Sequence, residues 1–252
     1  MAIAIIQPGK IGDIIICLPI AHYFHRRQEV IWPIHKSLSP MFEAAVDYVK
    51  FIPVDSYDLG TSMAAIEPYQ PSRVLPLAFG FQGYQRLTRL WIESNKPFDE
   101  YKYQVAGVPF DQKNKLVIRR NQQREEALYR KLIKSDRYHV VMTNASDRSI
   151  SVEPSPEETP GDRVEITNQT DSVFDWLLIL ERASAYFMID SCMVNLVSQM
   201  GFKAPGVRCW KPGYASERDY PILQDNWTDF RESATSGIAR IGCFETVSRS
   251  ER

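Results

Sequence analysis

The start of this 252-residue chain constrains its fold more than any other stretch, because residues 2–7, Ala-Ile-Ala-Ile-Ile-Gln, are a nearly continuous apolar run stopped by Pro8 and Gly9. A strand that is apolar on both faces has to be covered on both. That is the situation of a parallel strand inside an α/β sheet. From Asp13 to Arg27 the apolar residues Ile14, Ile15, Leu18, Ala21 and Phe24 recur at the spacing of a helix packed on such a sheet. Its basic end at residues 25–27 suits a C-terminal helix dipole, and Pro19 is expected to kink it. Residues 29–34 then read as a second strand, 40–48 as a helix and 50–54 as a third strand. This alternation predicts a doubly wound parallel sheet.

Between residues 57 and 107 the periodicity fades while aromatic residues accumulate, so loops and short helices are expected there. Residues 121–135 have a helical apolar face in Ala127, Leu128 and Leu132, charged elsewhere, as at a domain junction. The boundary is placed near Arg119 and Arg120. Beyond it the pattern starts again, with a strand at 138–143, a polar loop from Asn144 and an exposed Pro- and Glu-rich loop at 152–162. A strand at 163–167, a helix at 172–183, a strand at 185–189, a helix at 192–200 closed by Gly201 and a last strand at 204–209 complete it. The two halves repeat one architecture. The expected units are residues 1–120, residues 121–230 and a polar tail, 231–252, to which no function is assigned.

Composition narrows the function classes. With 44% hydrophobic and 24% charged residues and a formal net charge of −1, the chain has an ordinary globular composition and no global field to recruit an anionic polymer. Local basic clusters at residues 25–27, at Arg86 with Arg89, and at Arg119, Arg120 and Arg124 read first as solvated helix ends or loops. The sequence shows no apolar run near the roughly 20 residues that span a bilayer, and no basic segment before the first apolar stretch. Cys17, Cys192, Cys209 and Cys243 are widely spaced without a Cys-x-x-Cys pair, which suits reduced thiols. A cytoplasmic location is expected.

Three constellations can carry chemistry. Pro8-Gly9-Lys10-Ile11-Gly12-Asp13 lies where a strand ends and a helix begins, the carboxyl edge at which open α/β sheets bind ligands. Its glycines allow close approach to the backbone, and free amides at the helix start can face an anion. It is neither a Walker A loop nor Gly-x-Gly-x-x-Gly. Asp13 has two readings, a helix N-cap or a general base taking a proton from an acceptor hydroxyl. Asp190-Ser191-Cys192-Met193-Val194-Asn195-Leu196 sits at a second strand-to-helix junction. Ser191 can cap that helix or, with the neighbouring amides, hold a diphosphate, and Asp190 can accept from sugar hydroxyls. Thr143-Asn144-Ala145-Ser146-Asp147-Arg148 places short polar side chains beside an arginine, as for phosphate oxygens, or forms an ordinary Asx/Ser turn.

Together, and in this order, these patches resemble the heptosyltransferase-like family of GT-B glycosyltransferases. The motifs that carry the resemblance are Gly12-Asp13, Pro19, and Asp190-Ser191 with Asn195-Leu196, over roughly residues 1–54 and 138–202. The resemblance implies an α/β fold of two Rossmann-like, doubly wound parallel-sheet domains facing across a cleft, the second abbreviated. It also implies inverting transfer from a nucleotide-diphosphate sugar to an acceptor hydroxyl of a glycan precursor, with no resident cofactor and no metal. Asp13 corresponds to the base. By the same resemblance Ser146 and Arg148 contact the donor diphosphate, and Asp190 with Ser191 the donor sugar and phosphate. Read from the residues themselves, Gly12, Asn144 and Asn195 join the donor side, and Lys10, Tyr84, Arg86 and Arg89 are the acceptor-side candidates. Asn195 stands where the family usually has His, and Arg148 where it usually has Lys.

Two other functions remain open at this level. A phage-type transferase acting on hydroxymethylated pyrimidines in DNA would use Tyr84, Arg86, Arg89 and Trp91 to hold an extruded base and its phosphates. A degenerate GT-B fold would bind a nucleotide or a partner protein without turnover.

Overall fold

A computed structural model describes residues 2–79, 83–145, 148–150, 161–210 and 219–230. The expected exposed loop at 152–162 falls almost wholly outside them, as does the tail beyond Phe230.

The apolar run at the N-terminus forms β1 (Ile3–Ile6), fully buried along its length. It leads into α1 (Ile11–His25), then β2 (Val30–His35), α2 (Ser39–Ala45) and β3 (Lys50–Val54). The stretch expected to be loops and short helices contains α3 (Leu59–Ile66), β4 (Arg73–Pro76), α4 (Gln85–Ser94) and α5 (Phe98–Ala106). The strand β4 corrects that expectation. It is only four residues long, ends in Pro76 and lies at a sheet edge, where a proline without an amide donor is tolerated.

After α6 (Gln122–Leu132), capped by the Asn121 side chain, come β5 (Tyr138–Met142) and a small hairpin of β6 (Asn144–Ala145) and β7 (Arg148–Ser149). β8 (Asp162–Glu165), α7 (Leu177–Arg182), β9 (Ala185–Ile189), α8 (Cys192–Met200), β10 (Gly206–Cys209) and β11 (Trp227–Phe230) follow. The helix expected at 172–183 divides into a 3-10 turn, Val173–Trp176, and the shorter α7. Gly201 closes α8 in the left-handed conformation, at φ 72°.

The strands form two parallel sheets, ordered β3-β2-β1-β4 and β11-β10-β9-β5-β8. In the first, the chain builds outward from β1 through β2 to β3 and then returns to place β4 on β1's other side. In the second, β8 lies on one side of β5 and β9 to β11 on the other. Each sheet therefore has a topological switch point, between β1 and β4 and between β5 and β9. Such points open a crevice at the carboxyl ends of the strands. The second half is the more reduced, since its described residues between β5 and β8 hold a hairpin of two two-residue strands where the first half has α1 between β1 and β2.

The halves are joined by packing, not only by chain connection. The largest apolar cluster includes Ile14, Ile15 and Leu18 of α1 together with Met193, Val194 and Val197 of α8. Pro19 lies inside α1, which runs as one element from Ile11 to His25. Having no N–H, Pro19 leaves the Ile15 carbonyl without its helical donor. Gln199 of α8 supplies one, its Nε2 donating to the Ile15 oxygen at 2.9 Å. A second buried tie joins the halves: Lys113 pairs with Asp99 at 2.5 Å and also donates to the Ile222 carbonyl, while the Ile222 amide donates to Asp99 at 2.9 Å. Burial pulls the Lys113 ammonium below its usual pKa, against the attraction of Asp99.

Candidate active site

Both switch points coincide with the motifs read from the sequence, and the packing of α1 on α8 brings them together. A Cβ built on Gly12 would lie 3.4 Å from the Cys192 Cα and 3.6 Å from the Asn195 Nδ2, so the first turns of the two helices are in contact. Gly9 is set closer still to its neighbour. A Cβ there would fall 2.1 Å from the Tyr57 ring, which stacks on His35 with centroids 4.6 Å apart. The loop between β1 and α1 is pinned by the His35 amide donating to the Pro8 oxygen at 2.7 Å and by the Gln7 Nε2 donating to the Gly9 oxygen at 3.0 Å. Lys10, exposed at the N-cap position, has φ 60° and ψ 115°, a conformation that costs a non-glycine residue on the order of 1–3 kcal/mol.

Asp13 is not the N-cap. It stands in the first turn of α1, one turn of chain past Lys10, and its side chain is 21% exposed. Its charged neighbour is Lys102 of α5, whose Nζ lies 3.2 Å from the Asp13 Oδ1. The lysine is 1% exposed and also donates to the Gln7 Oε1 at 2.7 Å and to the Leu77 oxygen at 2.6 Å. The rings of Phe79 and Phe98 flank it at 5.0 and 5.9 Å. Sequence reasoning missed this lysine. The available signal was the phase of Asp99, Lys102, Tyr103 and Ala106, which puts two charged residues in the buried stripe of a helix. Cys17, one turn further along α1, has its thiol pushed up to about 12 by burial, which keeps it protonated and unreactive.

On the opposite edge, Ser191 occupies the N-cap position of α8 without a capping hydrogen bond. Its hydroxyl donates instead to the Met142 sulfur at 3.4 Å, bridging the ends of β9 and β5. Asp190 is held by its amide to the Cys209 oxygen at 2.8 Å, and its Oδ1 is 3.7 Å from an Arg208 nitrogen. Arg208, also unforeseen, is 4% exposed, forks onto Asp229 at 2.6 and 2.8 Å and donates to the Pro221 oxygen at 2.7 Å. The Asn195 Nδ2 donates to the Ser191 oxygen at 3.1 Å, while its Oδ1 is buried without a hydrogen-bond partner. Asn144 is exposed and donates to the Thr143 hydroxyl at 3.3 Å. Arg148 lies on β7, its side chain outside the described atoms, and Ser146 is outside the described residues.

The acceptor-side residues scatter. Tyr84, expected to face a ligand, is 1% exposed and packs with Ala4, Ile6, Ile66 and Ala78, which corrects its assignment. Arg86 is exposed on α4, and Arg89 pairs with Glu93 one turn on, at 2.8 Å. Arg120 and Arg124 are engaged in ion pairs with Glu125, Glu181, Asp171 and Asp175, and Arg119 donates to the carbonyls of Glu43 and Ala44 at the end of α2. That cluster is structural.

No protein-family model and no curated protein matches the chain. Solved structures do. A glycosyl transferase family 9 protein from Veillonella parvula superposes with a TM-score of 0.61 at 11% identity, covering 92% of this chain and 86% of that one. E. coli ADP-heptose LPS heptosyltransferase II gives 0.61 at 13% identity, covering 94% and 92%. The chain has the GT-B fold. E. coli heptosyltransferase WaaC with ADP gives 0.54 at 12% identity, covering 92% and 94%. The likeness to heptosyltransferase-like proteins read from the motifs thus extends to two parallel-sheet domains over almost the whole GT-B chain. No described helix is long and apolar enough to cross a membrane.

Proposed function

We propose that the chain is a glycosyltransferase that moves a sugar from a nucleotide-diphosphate donor to an acceptor hydroxyl, with inversion, and that the acceptor is a glycan precursor. The observation that carries this reading is the contact of Gly12 with Cys192, which sets a carboxylate on one switch point beside the amide-rich helix start on the other. The acceptor oxygen attacks the anomeric carbon as the bond to the diphosphate oxygen breaks. Asp13 takes the proton from the acceptor, and the leaving nucleoside diphosphate keeps the bonding electrons.

The donor side is assigned to α8. In this reading its first amides, which the Ser191 side chain leaves uncapped, receive phosphate oxygens, and Arg148 is assigned to the same diphosphate. Asp190 accepts from sugar hydroxyls, and the buried Asn195 Oδ1 offers an acceptor in the same crevice. Two GT-B neighbours support a nucleotide-sugar donor by the ligands in their descriptions, ADP in the WaaC structure and ADP-D-beta-D-heptose in the dodecameric heptosyltransferase TibC, with a TM-score of 0.53. TibC is described as iron-containing. In this reading the charge of the departing diphosphate is met by helix amides and Arg148, so turnover is expected to persist in a chelator.

The DNA-modifying reading loses its main support with Tyr84 in the core and Arg89 paired. The test is a panel of ADP-, UDP-, GDP- and dTDP-sugars. At least one is expected to raise the melting temperature and to release nucleoside diphosphate slowly to water, since a bound ligand stabilises the folded state. Binding without any release would make the chain a non-catalytic binder, and no binding would remove the donor site.

A further inference from the structure

We infer that Lys102 is a positioning residue for Asp13, holding one carboxylate oxygen so that the other is turned to the acceptor. The inference rests on the transferase reading above.

The Lys102 ammonium donates to two protein oxygens, the Gln7 Oε1 at 2.7 Å and the Leu77 carbonyl at 2.6 Å, and forms an ion pair with the Asp13 Oδ1 at 3.2 Å. Those partners belong to the end of β1, the segment after β4 and the first turn of α1. They are the three segments that build the switch point of the first sheet. Gln7 passes the constraint on, its Nε2 donating to the Gly9 oxygen at 3.0 Å, so one buried charge fixes both the catalytic loop and the carboxylate that ends it. Phe79 and Phe98 close the sides at 5.0 and 5.9 Å.

Stability alone does not account for a lysine at this position. It is 1% exposed on a helix face shared with Tyr103 and Ala106, where an apolar residue would fill the same volume without desolvating a charge. The exposures of the pair differ in the sense that function requires. Lys102 is sealed, whereas the Asp13 side chain retains 21% exposure. The ion pair draws Oδ1 toward the ammonium and favours one orientation of the carboxylate, and a well-placed proton acceptor is what an efficient transfer needs.

The test uses the full chain, the donor that the panel identifies and nucleoside diphosphate release as readout. Lys102→Met keeps the volume and removes the charge. It is expected to lower kcat about 10- to 100-fold while the donor KM changes less than about 3-fold, the loss expected of a displaced catalytic group. In an Asp13→Asn background the same change is expected to cost less than about 2-fold, because a residue acting through Asp13 has nothing left to position. An equal loss in both backgrounds overturns the inference, as does wild-type kcat in Lys102→Met.

Should Lys102→Met not fold, Gln7→Leu removes one acceptor and leaves the lysine. A several-fold fall in kcat confined to chains that keep Asp13 is then expected, and no fall overturns the role. Full activity of Asp13→Asn, or no turnover of any donor by the wild type, removes the transferase reading and the positioning role with it. An inactive Asp13→Asn beside a fully active Lys102→Met removes the positioning role alone.

Discussion

The two switch points look alike in outline and differ in how their polar groups are satisfied. At the first, the carboxylate of Asp13 faces a buried ammonium whose other contacts are protein oxygens, and the loop before it is pinned by Gln7 and by the His35 amide. At the second, Ser191 leaves the start of α8 uncapped, and Asn195 keeps a buried oxygen without a partner. A buried polar atom without a hydrogen bond costs about 1–3 kcal/mol. The difference teaches a division of labour. The first edge is a finished arrangement that presents one group, as a base requires, and the second holds unsatisfied groups, as a binding site does before its ligand arrives.

That contrast breaks most visibly at Asp13. Replacement by Asn is expected to lower kcat by about 10²- to 10⁴-fold, the range for loss of a general base, without weakening donor binding. Steady-state nucleoside diphosphate release checks it. On the other edge, Asn195→Leu is expected to weaken donor binding about 10-fold while leaving kcat nearly intact, read by calorimetric titration of the accepted donor. A matching loss of stability would instead make Asn195 a core residue.

The junction that brings the edges together gives the next effect. Gln199→Leu leaves the Ile15 carbonyl unpaired beneath Pro19 and should cost about 1–3 kcal/mol in urea unfolding. No loss would mean that the two halves do not depend on this tie.

The smallest effect concerns the floor of the second sheet. Burial lowers the pKa of His139 below 6.5, so the folded state disfavours its protonation. The stability it supports is present above the unfolded-state value and is lost as pH falls through the folded value. Unfolding midpoints should therefore fall below about pH 6.5, and His139→Gln should flatten that limb.

Much of this was legible in the chain because parallel strands and their helices carry strong periodic signals. The strand Ala185–Ile189 and the helix Cys192–Met200 stand at the residues expected, since a continuous apolar run ending in Asp-Ser and a helix closed by Gly admit few alternatives. The strands β4 and β11 were missed for one reason. Both are four-residue edges, one ending in proline and the other alternating Trp, Thr, Asp and Phe, and neither is apolar on two faces. In the site, the residues next to glycines and helix starts were visible, because local backbone demands select residue types there. Lys102 and Arg208 were not. Each is fixed by partners far along the chain, Gln7 and Leu77 for one and Pro221 and Asp229 for the other, and a lone charged residue gives no local sign of such company.

The central claim is that chemistry belongs to the first edge and donor binding to the second. Donor affinity and nucleoside diphosphate release measured side by side for the wild type, Asp13→Asn and Asp190→Asn test it most directly. The account predicts that Asp13→Asn binds the donor within about 3-fold of the wild type and releases almost no product, and that Asp190→Asn loses affinity about 10-fold or more. Lost affinity in Asp13→Asn with unchanged binding in Asp190→Asn would contradict it.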